Sequence, residues 1–215
     1  MKAAASIPFP ARRRRVRAFT LAELLTVIAI LIFLFAFLTP AIGPLLNSSS
    51  INTAGSMVVD EFNLARQVAL ARNRNVEVRF YRLESESGDD RQFRAFRSFL
   101  TDGDDPAKAE PLSKVRYLPR AVIFAPQTNF SPLLNGGSPG LITGQEALPQ
   151  ATSATPYVGF LFRSSGGTSL SPPDELWYVT LHGETAPKTA ATGLPSNYFT
   201  IQVDPVTGRV RSYHP

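Results

Sequence analysis

A single carboxylate, Glu23, stands in a run of otherwise uncharged residues from 19 to 38. An ionised group in such surroundings costs about 2.5–3.5 kcal/mol at the centre of a membrane helix and less near the interface, so by default it has a partner. Other residues able to do chemistry are scattered. Asp102, Asp104 and Asp105 offer the oxygens that calcium takes, but the later glutamate and the spacing of an EF-hand loop are missing, so a solvated turn is expected. His182 and His214, the two histidines, form no close metal pair, and each is expected to be structural or exposed. Serines and aspartates occur, but none stands on the strand-to-helix turn that a nucleophile elbow requires: Gly136-Gly137-Ser138-Pro139-Gly140 has the G-x-S-x-G spacing only within a Pro- and Gly-rich segment. There is no cysteine to act as nucleophile, thiolate ligand or disulfide. The expectation is a chain with no catalytic residue, no metal and no cofactor.

The distribution of charge narrows the function classes. The chain has 22 Lys+Arg against 17 Asp+Glu, a net of +5. Six of those cations, Lys2, Arg12, Arg13, Arg14, Arg15 and Arg17, precede Ala18 with no acid among them. The remainder is close to neutral, so the basicity belongs to the first eighteen residues. A nucleic-acid-coating domain is disfavoured on that ground.

The element that must position Glu23 is a helix. Twenty residues at 1.5 Å each give about 30 Å, the thickness of a bilayer core. The preceding cations should stay cytoplasmic and the remainder should lie across the membrane. A conventional signal peptide fits poorly, because Leu38-Thr39-Pro40-Ala41 makes a weak small-x-small site. A twin-arginine signal would want an apolar residue where Arg17 stands. An uncleaved membrane anchor accounts for the length but gives Glu23 no purpose. Pro40, Gly43 and Pro44 are expected to break the helix.

Ala18, followed by Phe19-Thr20-Leu21-Ala22-Glu23, resembles the leader junction of type IV pilins and type II secretion pseudopilins. Pro40 falls where many of those proteins carry a helix-disrupting proline. The resemblance implies cleavage between Ala18 and Phe19 by a prepilin peptidase and N-methylation of Phe19. Ala18 departs from the family's usual glycine before the cut. The resemblance also implies that Phe19, Thr20, Leu21, Glu23 and Pro40 serve assembly, with sister subunits and an inner-membrane assembly platform as partners. The expected topology is a single pass through the inner membrane with a periplasmic head. Physical logic agrees: cutting creates an amine at Phe19, one that can pair with Glu23 of a neighbouring subunit and set axial register.

Beyond the break, a second helix is expected over residues 53–74, with Val58, Phe62, Ala65 and Ala69 as a narrow apolar stripe widened by Leu64, Val68 and Ala71. The period then changes from 3.6 to 2. Val76, Val78 and Phe80 alternate with Glu77, Arg79 and Tyr81, the pattern of a half-buried strand. A weaker strand follows around Phe93–Arg97, with residues 85–90 as a hairpin loop. Further strands are expected at 115–118, 121–125, 157–163, 176–182, 198–203 and 209–213. Asp204-Pro205-Val206-Thr207-Gly208 should turn the last two into an antiparallel hairpin. Residues 126–156 read as an irregular insertion. The segments are a leader (1–18), a membrane or filament-core helix (19–46), the second half of the helix (47–74) and a β-rich head (75–215). A long helix followed by strands points to an α+β fold with a mostly antiparallel sheet.

Residues 66–73 with the strand after them, Leu118-Pro119-Arg120-Ala121-Val122-Ile123-Phe124, Phe162-Arg163-Ser164-Ser165-Gly166-Gly167 and Thr207-Gly208-Arg209-Val210 are similar in kind and order to H-type minor pseudopilins. A narrower resemblance is to protein D of the Verru_Chthon cassettes. The family comparison implies a structural subunit. It also raises the alternative of a DNA-binding minor pilin for DNA uptake, using Arg163, Arg209 and Arg211; three arginines on a near-neutral domain make a thin phosphate-binding patch.

Overall fold

The structure, a computed structural model, describes residues 19–84, 91–102, 109–149, 151, 153–190 and 193–215, and of residues 36–47 the helical backbone alone. The leader, the hairpin loop at 85–90 and most of the acidic stretch at 103–108 lie outside the described residues. The chain divides into two compact units, Met1–Gly43 and Pro44–Pro215.

Helix α1 spans Leu21–Arg72. The break expected near Pro40 is absent: the helix continues through Pro40, Gly43 and Pro44. Each proline removes only its own N–H from the ladder, and a long helix can carry that loss as a local distortion. The division into two units nevertheless falls at Gly43 and Pro44. The helix ends two residues earlier than expected, at Arg72. Asn73 takes a positive φ of 48°, and the Arg74 N–H reaches the Ala69 carbonyl at 3.3 Å, closing the last turn as a Schellman motif does.

In the larger unit, Ile51, Ala54, Val58, Phe62, Ala65 and Ala69 are buried at spacings of three and four, so one face of α1 enters the core. The expected stripe is there, but Leu64 and Ala71 are exposed rather than widening it. Gly55 permits the closest approach: a Cβ there would lie 2.5 Å from the Phe199 ring.

Ten strands follow among the described residues: β1 (Asn75–Glu84), β2 (Arg91–Thr101), β3 (Glu110–Pro111), β4 (Arg116–Tyr117), β5 (Val122–Phe124), β6 (Ile142–Ala147), β7 (Ala154–Phe162), β8 (Trp177–Gly183), β9 (Tyr198–Val203) and β10 (Val210–Tyr213). They form two sheets rather than one. The six-stranded sheet has the order β3-β2-β1-β7-β6, with β4 also on β2; the four-stranded sheet has the order β10-β9-β8-β5. The pairings between these strands are antiparallel. The last two strands form the expected hairpin. Its turn is set by Asp204, whose Oδ1 accepts the N–H groups of Val206 and Thr207 at 3.0 and 2.8 Å, and by Gly208 at φ 62°.

Residues 126–156 are not merely irregular. Ser131 leads into a short 3-10 helix, Pro132–Leu134, and β6 then pairs with β7 along its whole length. Leu133 and Leu134 are buried in the main core, and the Ser131 hydroxyl accepts the Thr180 N–H of β8 at 3.1 Å. This segment thereby packs between β7 of one sheet and β8 of the other. Its Pro and Gly content hid a short strand whose partner is close in sequence.

The core is aromatic. Phe62 meets Phe80, Phe160 and Phe162 edge-on, with centroids 6.0, 5.6 and 6.1 Å away, and Phe124 meets Phe80 and Phe96 in the same manner. Edge-to-face pairs of this kind add about 0.5–1.5 kcal/mol each beyond area burial.

Candidate functional site

The first candidate is the start of α1. Thr20 precedes the helix, and its Oγ1 accepts the Glu23 N–H at 3.2 Å while its carbonyl accepts the N–H of Leu24 at 3.1 Å. Thr20-Leu21-Ala22-Glu23 is thus a helix N-cap with an acid in the first turn, where the macrodipole favours it. Thr26 returns its hydroxyl to the Ala22 carbonyl at 2.8 Å. Every side chain from Phe19 to Phe35 is exposed, Phe19 and Leu21 at 75% and 78% and Ile32, Phe33 and Phe35 at about two thirds. The Glu23 carboxylate is exposed as well. Among the described residues, no helix is long and apolar enough to cross a membrane. The apolar run continues through residues 36–38, whose side chains are not described, as is that of Pro40. Ala18 lies outside the described residues.

The second candidate went unread in the sequence. On β1, Glu77, Arg79 and Tyr81 are as buried as Val76, Val78 and Phe80 on the opposite face. Arg79 binds Glu77 twice, Nε to Oε1 at 2.8 Å and Nη2 to Oε2 at 2.7 Å, and reaches Glu146 Oε2 with Nη1 at 3.1 Å. Its guanidinium lies 4.1 Å from the Phe99 ring centroid and 4.4 Å from that of Tyr157. Glu146, on β6, also accepts the Tyr81 hydroxyl at 2.6 Å and an Arg97 N–H at 3.4 Å. Gly159 makes room beneath: a Cβ there would lie 2.6 Å from the Val78 carbonyl oxygen. Burial disfavours the Arg79 charge, but the hydrogen bond and charge of Glu77, with the Tyr157 hydroxyl and the Glu146 hydrogen bond, outweigh it and raise its pKa. Burial, with the Glu146 hydrogen bond, pushes the Tyr81 hydroxyl up as well. Two arginines face two glutamates, so the cluster is neutral and internally paired, a tie from β6 to β1 and β2 rather than a reactive site. The signal in the sequence was the opposite charge of Glu77 and Arg79, two apart and therefore on one face of the strand.

A smaller buried acid ties α1 to the sheet edge. Glu61 is fully buried; Oε1 accepts the Ser113 hydroxyl at 2.6 Å, and Arg116 Nε lies 3.2 Å from Oε2 without hydrogen-bond alignment.

The weak motifs near the chain's end do converge. Arg66 of α1 donates Nε to the Thr207 carbonyl at 3.0 Å, and the Thr168 N–H and hydroxyl both donate to the Pro205 carbonyl, at 3.0 and 2.8 Å. Arg163, Arg209 and Arg211 are exposed around this junction. Arg163 Nε donates to the Thr168 carbonyl at 3.1 Å. Asp204 lies within the electrostatic reach of Arg211; the N–H groups of Thr207 and Val206 and that arginine hold its carboxyl below the usual range. His182 is buried, its Nδ1 2.8 Å from the Gly183 carbonyl, and burial lowers its pKa; His214 stacks on Phe199. Among the described residues no three His, Cys, Asp or Glu side chains are grouped to hold a metal.

These features define an α+β protein in which the second half of a long helix seats on antiparallel sheets and the first half presents apolar side chains. Neither a known protein family nor a curated protein matches the sequence. Among solved structures, the chain is similar to the minor pseudopilin EpsH from the type 2 secretion system of Vibrio cholerae, with 9% identity and a TM-score of 0.41 over 77% of this chain and 98% of that one. A likeness of that size identifies neither family nor function.

Proposed function

We propose that the chain is a pseudopilin-like or minor-pilin-like structural subunit, cut between Ala18 and Phe19 by a prepilin peptidase and assembled through α1 into a pseudopilus or pilus-like filament. The observation that carries this reading is the exposed apolar run from Phe19 to Phe35, which opens on Phe19-Thr20-Leu21-Ala22-Glu23. Large apolar side chains at such density need a lipid or protein environment. The run would first sit in the inner membrane with the β-rich head in the periplasm, then pack against sister subunits on an assembly platform. Glu23 would pair with the methylated Phe19 amine of a neighbour, giving a buried acid its counter-charge and fixing register. No step calls for catalysis by this chain.

Mass spectrometry of the membrane-derived protein tests the first step. A mature chain beginning at N-methylated Phe19 is expected, and an intact leader refutes the processed subunit. Glu23→Ala should insert normally and fail to assemble; filaments at wild-type yield would refute the register role.

A further inference from the structure

The six-stranded sheet ends at β6, which pairs with β7 on one side and with no described strand on the other. Natural sheets blunt such an edge with charged side chains, lysine above all, with proline, a bulge, a covering segment or extreme shortness. The other terminal strands here follow that rule. β3 and β4 have two residues each, β5 has three, and β10 has four, one of them Arg211. β6 has six residues, Ile-Thr-Gly-Gln-Glu-Ala, without lysine or proline, and its ladder to β7 runs from Ile142↔Gly159 to Ala147↔Ala154 with no register shift. Its exposed row, Thr143, Gln145 and Ala147, is uncharged. Its one charge, Glu146, is held over the sheet and neutralised there by Arg79 and Arg97, with the Tyr81 hydroxyl donating to it, so it presents no net charge to an incoming strand.

We infer that β6 is a docking edge for a second copy of this chain, added antiparallel about a two-fold axis through Gln145. That register places Gln145 beside the partner's Gln145, where the two amides can hydrogen-bond, and Thr143 beside the partner's Ala147. Gly144 faces the partner's Glu146, so no like charges meet. Centring the axis on Gly144 instead would set glycine against glycine and Ile142 against the partner's Glu146. The pairing is isologous and uses the free edge of both copies, so it closes at a dimer. The contact lies in the head and does not depend on how the apolar helix is used.

The absence of cysteine from the sequence gives a direct test. Directly opposed residues in an antiparallel pair have Cα atoms about 4.5–5.5 Å apart, within disulfide reach. Full-length protein carrying Gln145→Cys, mildly oxidised in its native membranes, should shift to a dimer of doubled mass on a non-reducing gel. Ser165→Cys, exposed on the loop after β7, should stay monomeric. Thr143→Cys and Ala147→Cys should each remain monomeric alone and cross-link when the two variants are co-expressed. Dimer formation at position 145 no greater than at 165 overturns the inference, as does cross-linking of the Gln145→Cys chain to a different polypeptide.

Discussion

Replacing Arg79 by methionine keeps most of the stem and removes the guanidinium from the most enclosed ion pair of the head. Glu77, with no exposed surface, would lose the two hydrogen bonds of 2.8 and 2.7 Å that hold its carboxylate. Removing one partner of a buried pair costs about 3–5 kcal/mol, chiefly because the other charge stays desolvated. Loss of the guanidinium from the faces of Phe99 and Tyr157 adds about 0.5–2 kcal/mol, part of which the thioether can restore against the rings. Against a total stability of about 5–15 kcal/mol for a domain, Arg79→Met should leave the head marginal. The double variant Glu77→Leu with Arg79→Met removes both charges, and apolar replacement of a buried pair is neutral or stabilising by about 1–4 kcal/mol. It should therefore recover at least half of the loss. Trp177, the single tryptophan and 1% exposed, reports unfolding in urea by fluorescence of the full chain in detergent. A loss below about 1 kcal/mol for Arg79→Met, or a double variant as unstable as the sum of the two singles, would refute the argument that desolvation of Glu77 dominates.

Phe62→Ala should cost about 3–5 kcal/mol in the same assay, while Leu64→Ala, 39% exposed one turn face away, should stay within about 0.5 kcal/mol. Equal effects would deny that α1 buries the stripe assigned to it. Because the Tyr81 hydroxyl is raised in the folded state, its contribution is intact below its ordinary value of 10.0 and declines as pH rises past it. Tyr81→Phe should flatten that alkaline decline, measured as urea midpoint against pH; an unchanged profile would assign the decline elsewhere. Gly208→Ala should destabilise the terminal hairpin by about 1–2 kcal/mol for the left-handed backbone alone, and more because the added Cβ would lie 2.5 Å from the Gly166 carbonyl oxygen. Hydrogen exchange at residues 204–209 reads this loss, and unchanged protection would refute it.

Much of the head was legible because its signals are local. The 3.6-residue stripe on α1, the period-two strands and the Asp-Pro-Val-Thr-Gly turn each act within a few residues, and β9 fell on 198–203 as expected. What misled was reading alternation as exposure. Glu77 and Arg79 satisfy each other, so a face that looked wet is dry, and the strand is buried on both sides. Pro and Gly at 126–156 likewise masked β6, whose Gly144, Gln145, Glu146 and Ala147 carry little strand preference of their own but pair with β7 all the same. Two prolines and a glycine implied a broken helix, whereas the backbone ladder carries them.

By itself the sequence determined where charge lies, the apolar run with its lone acid, the Phe19-Thr20-Leu21-Ala22-Glu23 motif that opens it, and an α+β order of elements. These follow from composition and short spacing. Only the tertiary structure decided that there are two sheets, that Glu146 comes back across 67 residues to meet Arg79, that three distant motifs meet around Arg66 and Thr207, and that β6 is left as an open edge. Such facts depend on which strands become neighbours, and that choice is made by the whole core at once rather than by any segment's own preference.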